Sequence, residues 1–148
     1  MKNVPLMILG WREWIALPDL GIDRIKAKID TGARTSVLHA FSVKIFHRKP
    51  CNCLHFRLYP IQKNDQVMVA CKANILDRRF VTNSGGCKEL RYAIRTNVIL
   101  GNRRWSIEIT LTNRDKMGFR MLLGRSALQN TVVNPSRSFI ASYKDFIQ

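Results

Sequence analysis

The stretch from residue 105 to 112 constrains the fold most. Trp105, Ile107, Ile109 and Leu111 alternate there with Ser106, Glu108, Thr110 and Thr112. Successive side chains of a strand point to opposite faces, so a period of two predicts a strand with one buried and one wet face. The pattern recurs. Ile25, Ala27 and Ile29 alternate with Lys26 and Lys28 and lead into Asp30, and Val67, Val69, Cys71, Ala73 and Ile75 keep the same period. Gly101-Asn102 joins Val98–Leu100 to the 105–112 strand as a tight hairpin. Asn83-Ser84-Gly85-Gly86 is a second turn, the tip of a longer hairpin between Arg79–Thr82 and Leu90–Ile94. Ser126 to Asn130, opening after Gly124, reads as a short helix. Many short strands with tight turns predict an all-β barrel or sandwich.

A chain of 148 residues suits one domain, spanning 1–148, with one core. Its 46% hydrophobic content is enough to build that core without disulfide staples. The 25 Lys and Arg against 10 Asp and Glu give a formal net charge of +15, which attracts polyanions: nucleic acid, acidic peptides or anionic membrane. The cations spread along the whole length, at Arg78-Arg79, Arg103-Arg104 and Arg114 to Arg125, so they describe a positive globule rather than a nucleic-acid arm. Many of them need be no more than a solvated surface. The opening MKNVPLMILGW holds a short apolar run that Pro5 interrupts, followed by Trp11-Arg12-Glu13 where a cleavage site would need small residues. It reads neither as a signal peptide nor as a membrane span. Cys51, Cys53, Cys71 and Cys87 are then expected as reduced thiols in a cytoplasm.

The segment Lys28-Ile29-Asp30-Thr31-Gly32-Ala33-Arg34-Thr35 carries the chemistry. A carboxylate at the end of a buried strand is costly unless something satisfies it or uses it. An Asx-type turn ending the strand is the structural alternative. Further on, Phe119-Arg120-Met121-Leu122-Leu123-Gly124-Arg125 is an apolar strand running into Gly-Arg, and the glycine-tipped hairpin lies between the two.

Asp-Thr-Gly-Ala after an apolar strand, then a flap-like hairpin, then Leu-Leu-Gly-Arg resembles the retropepsin-like aspartic peptidases. Gly10-Trp11-Arg12-Glu13-Trp14, Lys26 to Thr35 and Leu111-Thr112-Asn113-Arg114-Asp115 look like a bacterial subfamily of these. Its members are often labelled ATP-dependent zinc proteases, and some are encoded beside a ligase that adds glutamates to a ribosomal protein. The resemblance runs from about residue 8 to residue 140. It implies a small closed or partly open barrel of acid-protease type, with the short helix near its C-terminal end. It also implies that water, activated by two carboxylates sharing one proton, hydrolyses a peptide bond. Asp30 would be the catalytic carboxylate. Thr31 would hold the loop through its hydroxyl, Gly32 would permit two backbones to approach closely, and Ala33 would leave room beside the water. Ala33, Arg34, Ser84, Gly85, Gly86 and Arg125 would bind substrate. Asp30 is the only aspartate followed by Thr-Gly or Ser-Gly, so one chain supplies half a dyad and this chemistry calls for a homodimer.

Viral retropepsins carry an acid after Asp-Thr-Gly-Ala, paired with the arginine of the second motif. Arg34 stands at that position here while Arg125 is kept. Two cations cannot make that pair. They favour carboxylates instead, since arginine forks match them in bidentate fashion, and acidic or glutamylated substrates are expected. A zinc site has little support. No His-Glu-x-x-His occurs, and the His47, Cys51, Cys53, His55 cluster contains a Cys-x-Cys tighter than the usual ligand spacing. The cysteines there are expected to fill small gaps, with Cys51, Cys53 and His55 on one strand face. His39 is expected to be structural, and Trp11, Trp14 and Trp105 to anchor a core or interface. No Gly-rich Lys loop is present for ATP, and no cofactor or metal is expected. Two other classes stay open: a catalytically silent module that binds acidic peptides, and a basic β-barrel that binds nucleic acid. The long motif matches argue against the second.

Overall fold

A computed structural model describes residues 5–49, 52–61, 64–83, 85–113 and 118–142. They form a nearly all-β protein. The strands are β1 (Met7–Gly10), β2 (Arg12–Leu17), β3 (Ile22–Ile29), β4 (Ser36–His39), β5 (Phe41–Phe46), β6 (Cys53–Leu58), β7 (Val69–Thr82), β8 (Lys88–Leu100), β9 (Arg103–Thr112), β10 (Met121–Leu123) and β11 (Thr131–Asn134). The hairpin expected at Gly101-Asn102 is there, with Leu100 opposite Arg103. The strand signals before and after residue 76 belong to one 14-residue strand, β7, whose register with β8 shifts between Ile75 and Asp77. An irregularity of this kind hides a continuous strand from a strict period of two.

Nine strands pair in the order β2-β3-β10-β4-β9-β8-β7-β6-β5, and Ala16 of β2 meets Ile99 of β8. Six strands therefore partly ring the core, while β7, β6 and β5 continue beyond the closure. The inward side chains are what the alternation demands: Ile15 and Leu17 from β2, Ile25, Ala27 and Ile29 from β3, Ile107, Ile109 and Leu111 from β9, and Met121 and Leu123 from β10, all 7% exposed or less. Leu54, Phe56 and Leu58 of β6 join the same cluster. β1 and β11 form a separate parallel pair.

One placement matters for function. β10 lies between β3, to which it is parallel, and β4, to which it is antiparallel. Leu123 sits opposite Ile29, so the chain leaves β3 at Asp30 beside the point where it leaves β10 at Gly124.

The expected helix at Ser126–Asn130 shrinks to a single 3-10 turn, Arg125–Ala127. Asn130 takes a left-handed φ of 54°, which turns the chain into β11 before a second helical turn can form. Among the described residues no helix is long and apolar enough to cross a membrane.

Candidate active site

Two loops build the site. Asp30 N–H donates to Leu123 O (2.8 Å), Arg125 N–H to Ala33 O (2.8 Å) and Ser126 N–H to Arg34 O (2.9 Å). The buried Ser36 hydroxyl accepts from Gly124 N–H at 3.1 Å. A Cβ on Gly124 would lie 2.7 Å from the Thr35 carbonyl carbon and 3.0 Å from Ala33 O. Gly124 is therefore a point of close backbone approach. A Cβ on Gly32 would meet only the Asp30 carboxylate, at 3.2 Å. Asp30 Oδ1 accepts Gly32 N–H at 3.0 Å, so the Asx turn is real and is part of the motif. Among the described residues no protein group donates to Asp30 Oδ2.

In the single chain Thr31 is tied to Arg125 through its backbone. Its hydroxyl makes no hydrogen bond among the described residues, and its carbonyl accepts Arg125 Nη1 at 2.9 Å. Arg125 thereby finds a carbonyl where the viral relatives offer it an acid. Arg34 is exposed and has no carboxylate partner among the described residues.

A cleft of about 950 Å³ opens over these loops. Asp30, Gly32, Ala33, Arg34 and Thr35 line one side, and Arg79, Phe80, Val81, Thr82 and Asn83 of the β7–β8 hairpin line the other. Lys28, Val37, Arg91, Glu108, Thr112, Leu122 and Ser126 complete it. Of the expected substrate-binding residues, Ala33 and Arg34 reach the cleft wall, while Gly85, Gly86 and Arg125 do not. Ser84 lies outside the described residues. The hairpin tip is wound on Asn83, whose Oδ1 accepts Gly85 N–H and Cys87 N–H at 3.0 and 3.1 Å, with Gly86 at φ 83°. Such a φ suits glycine.

Sequence reasoning missed the charged wall of the hairpin. Arg79 and Arg91 are directly opposite across the strands. Arg79 forks onto Asp77 (2.7 and 2.5 Å) and reaches Glu108 at 3.1 Å, and Arg95 takes the other Glu108 oxygen at 3.1 Å. The Arg79 guanidinium holds the Asp77 carboxyl below its ordinary value, and that carboxylate in turn raises the Arg79 pKa. Arg91, with its side chain 4% exposed, pairs with Glu89 at 3.0 Å, and the Thr112 hydroxyl donates to the other Glu89 oxygen at 2.9 Å. No alternation signalled it, since five consecutive residues, Arg79 to Asn83, line the cleft.

The remaining candidates lie elsewhere. His39 is 3% exposed in β4, consistent with a structural role. Cys53 and His55 do share one face of β6, and Phe46 packs on the His55 ring at 4.0 Å. Burial against its surroundings lowers the His55 pKa, with Lys72 and Arg48 adding to the effect. Among the described residues no group of three His, Cys, Asp or Glu is gathered to hold a metal, and Cys51 lies outside them.

Comparison with known proteins spans nearly the whole chain. A family model described as the retropepsin-like aspartic endopeptidase RimB matches residues 8–144. Two curated relatives, each named "Probable alpha-L-glutamate ligase", come from Shewanella. The one from Shewanella pealeana is 46% identical over 93% of this chain, and the one from Shewanella halifaxensis is 44% identical over 95%. The matches cover only 30% and 31% of those proteins, so the chain spans about a third of their length. A crystal structure of a Legionella pneumophila protein of unknown function is similar at 26% identity, with a TM-score of 0.74 over 92% of this chain and 98% of that one. The match over nearly all of this sequence, with the Asp30 loop seated against the Gly124 loop, means that the chain belongs to the RimB-like family of retropepsin-like aspartic endopeptidases.

Proposed function

We propose that the protein is a cytoplasmic endopeptidase that works as a homodimer, with Asp30 from two chains forming the catalytic pair and an acidic polypeptide as substrate. The observation that carries this is the Asp30 carboxylate at the cleft wall. One oxygen is committed to the Gly32 N–H, and the other has no protein donor among the described residues. Two such carboxylates brought together share one proton, because both cannot hold a charge at close range. The ionised one takes a proton from water as its oxygen attacks the scissile carbonyl. The protonated one gives its proton to the carbonyl oxygen. Collapse then breaks the C–N bond as the amine nitrogen gains a proton. No cofactor is needed.

The dimer follows from the single Asp-Thr-Gly, since isologous assembly places one residue from each chain on the two-fold axis. Leu6, Ile8 and Val132 support it. They are 64, 53 and 48% exposed, and Ile8 and Val132 are register partners in the β1–β11 pair. An exposed apolar patch of this kind marks an interaction surface. Charge supports the substrate class. Lys28, Arg34, Arg79 and Arg91 line the cleft against Asp30 and Glu108, and Arg79 and Arg91 are already matched by acids, leaving Lys28 and Arg34 for an incoming carboxylate. The names of the longer relatives also refer to glutamate.

Asp30→Asn tests the reading. The amide keeps the shape but cannot exchange the proton, so cleavage of glutamate-rich peptides should fall by roughly 10²–10⁴-fold while their binding persists. Cleavage at the wild-type rate would overturn the dyad. A wild-type protein that binds these peptides and never cuts them would instead be a silent binding module.

A further inference from the structure

The outward side of β2 and β3 carries an unusual set of side chains. Glu13, Ile15 and Leu17 of β2 and Ile25, Ala27 and Ile29 of β3 are turned inward and buried. Arg12, Trp14, Arg24, Lys26 and Lys28 are left on the other side. Arg12 is opposite Lys28, and Trp14 is opposite Lys26. Like charges directly across a strand pair destabilise it, and nothing in the packing of the core requires them there.

The cations are held in place by aromatic rings. The Arg24 guanidinium lies 4.4 Å from the centre of the Trp14 ring and Lys26 Nζ lies 5.2 Å from it. Arg12 lies 4.7 Å from Trp11 and 5.0 Å from Phe139, and its Nε donates to the Ser138 hydroxyl at 3.1 Å. Stacking on a ring leaves the N–H edge of a guanidinium free to meet oxygen and reduces the rotamer freedom lost on binding. The acids of the two strands are Glu13, which is buried, and Asp23 at the far end of β3. Among the described residues no carboxylate bridges Arg12, Arg24 or Lys28.

Lys28 belongs to two surfaces. It ends this row of cations and also lines the cleft. Side chains on one strand face repeat at about 6.6 Å, the same spacing as alternate side chains of an extended peptide. We propose that the outward face of β2 and β3 is an exosite for an acidic polypeptide, continuous with the cleft through Lys28. The proposal rests on the acidic-substrate reading above and says where a chain that leaves the cleft is held. The rings argue against nucleic acid. Trp14 is stacked on Phe139, 14° from parallel, and overlaid by Arg24 and Lys26, so its faces are taken up rather than offered to bases.

The test compares Arg24→Glu/Lys26→Glu with Lys49→Glu/Lys72→Glu, an equal change in charge away from both surfaces. Binding of a labelled oligoglutamate peptide is read by fluorescence anisotropy at physiological salt. Cleavage is followed on a short peptide that fills only the cleft and on the same peptide extended by glutamates at either end. The exosite variant should lose roughly tenfold in oligoglutamate affinity and raise KM for one extended peptide by a similar factor. Its kcat, and its constants for the short peptide, should stay at wild-type values, and the control pair should change little. Equal losses in the two variants would overturn the proposal. So would an unchanged oligoglutamate affinity accompanied by lost binding of a single-stranded oligonucleotide, which would make this a nucleic-acid face. If the wild-type protein cuts no peptide, the peptidase reading fails, and the anisotropy measurement still decides the docking face.

Discussion

Glu13 is the most demanding residue of the fold. It is fully buried, yet it has no cation partner among the described residues; its oxygens accept instead from the N–H groups of Gly10 (2.6 Å), Ile140 (2.9 Å) and Ser142 (2.9 Å), and from the Ser142 hydroxyl (2.7 Å). It ties the 137–142 segment to the turn between β1 and β2. Glu13→Gln offers one acceptor oxygen in place of two and buries an NH₂ beside existing donors. It should lower stability by about 3 kcal/mol in urea unfolding, since each orphaned buried donor costs about 1–3 kcal/mol. A second residue sets alkaline behaviour. Burial pushes the Cys71 thiol up from 9.0 to about 11, with Sγ 3.4 Å from Leu20 O. The folded state prefers the neutral thiol, so this contribution is complete below pH 9.0 and is lost as pH rises toward 11. Stability measured between those values should fall more steeply in the wild type than in Cys71→Ala. Thiol-reactive reagents should modify the exposed Cys87 long before Cys71.

At the scale of elements, the site depends on two loops crossing where no side chain fits. Gly124→Ala would force the Gly124 backbone away from Thr35 and Ala33. The three hydrogen bonds that register the Asp30 loop on the Gly124 loop, from Asp30, Arg125 and Ser126 N–H, would then lengthen together. The variant should lose about 1–3 kcal/mol, as overpacking does, and its peptidase activity should fall more than that stability loss explains. Thermal melting beside cleavage at a temperature well below the midpoint separates the two effects. An unchanged melting temperature would mean that the crossing relaxes freely. The hairpin opposite is anchored differently, by the Asp77–Arg79–Glu108–Arg95 network and by Glu89–Arg91, while the described residues of its tip are wound on Asn83.

For the molecule as a whole, the +15 charge works against the homodimer proposed above. Self-repulsion between two such chains opposes dimerisation and is screened by salt, while the apolar contact proposed at Leu6, Ile8 and Val132 would not be. Light scattering after gel filtration should therefore show the dimer fraction rising with ionic strength. Ile8→Glu, placing a charge on the exposed side of β1, should return the chain to a monomer without lowering its melting temperature. A strictly monomeric wild-type protein at every salt concentration, still able to cleave peptide, would rule out the two-chain dyad.

The sequence by itself determined the local features. The period of two located β3, β9 and the first half of β7, and Gly101-Asn102 marked the turn that joins β8 to β9. Asp-Thr-Gly-Ala and Leu-Leu-Gly-Arg named both loops of the site and implied the family, because the geometry of a tight turn is written in a few adjacent residues. Tertiary structure decided everything that depends on partners distant in sequence. The insertion of β10 between β3 and β4 brings Asp30 beside Gly124, and no local pattern encodes which strands become neighbours. The single 3-10 turn in place of a helix at 126–130 arose because the chain had to enter β11. Arg79, Arg91 and Lys28 became cleft residues only when the hairpin was placed over the Asp30 loop. Glu13 could be buried because Ile140 and Ser142, distant along the chain, converge on it with donors beside the nearby Gly10. Hydrophobic alternation reports which way one strand faces, whereas a buried charge is tolerable only when the rest of the fold supplies its partners.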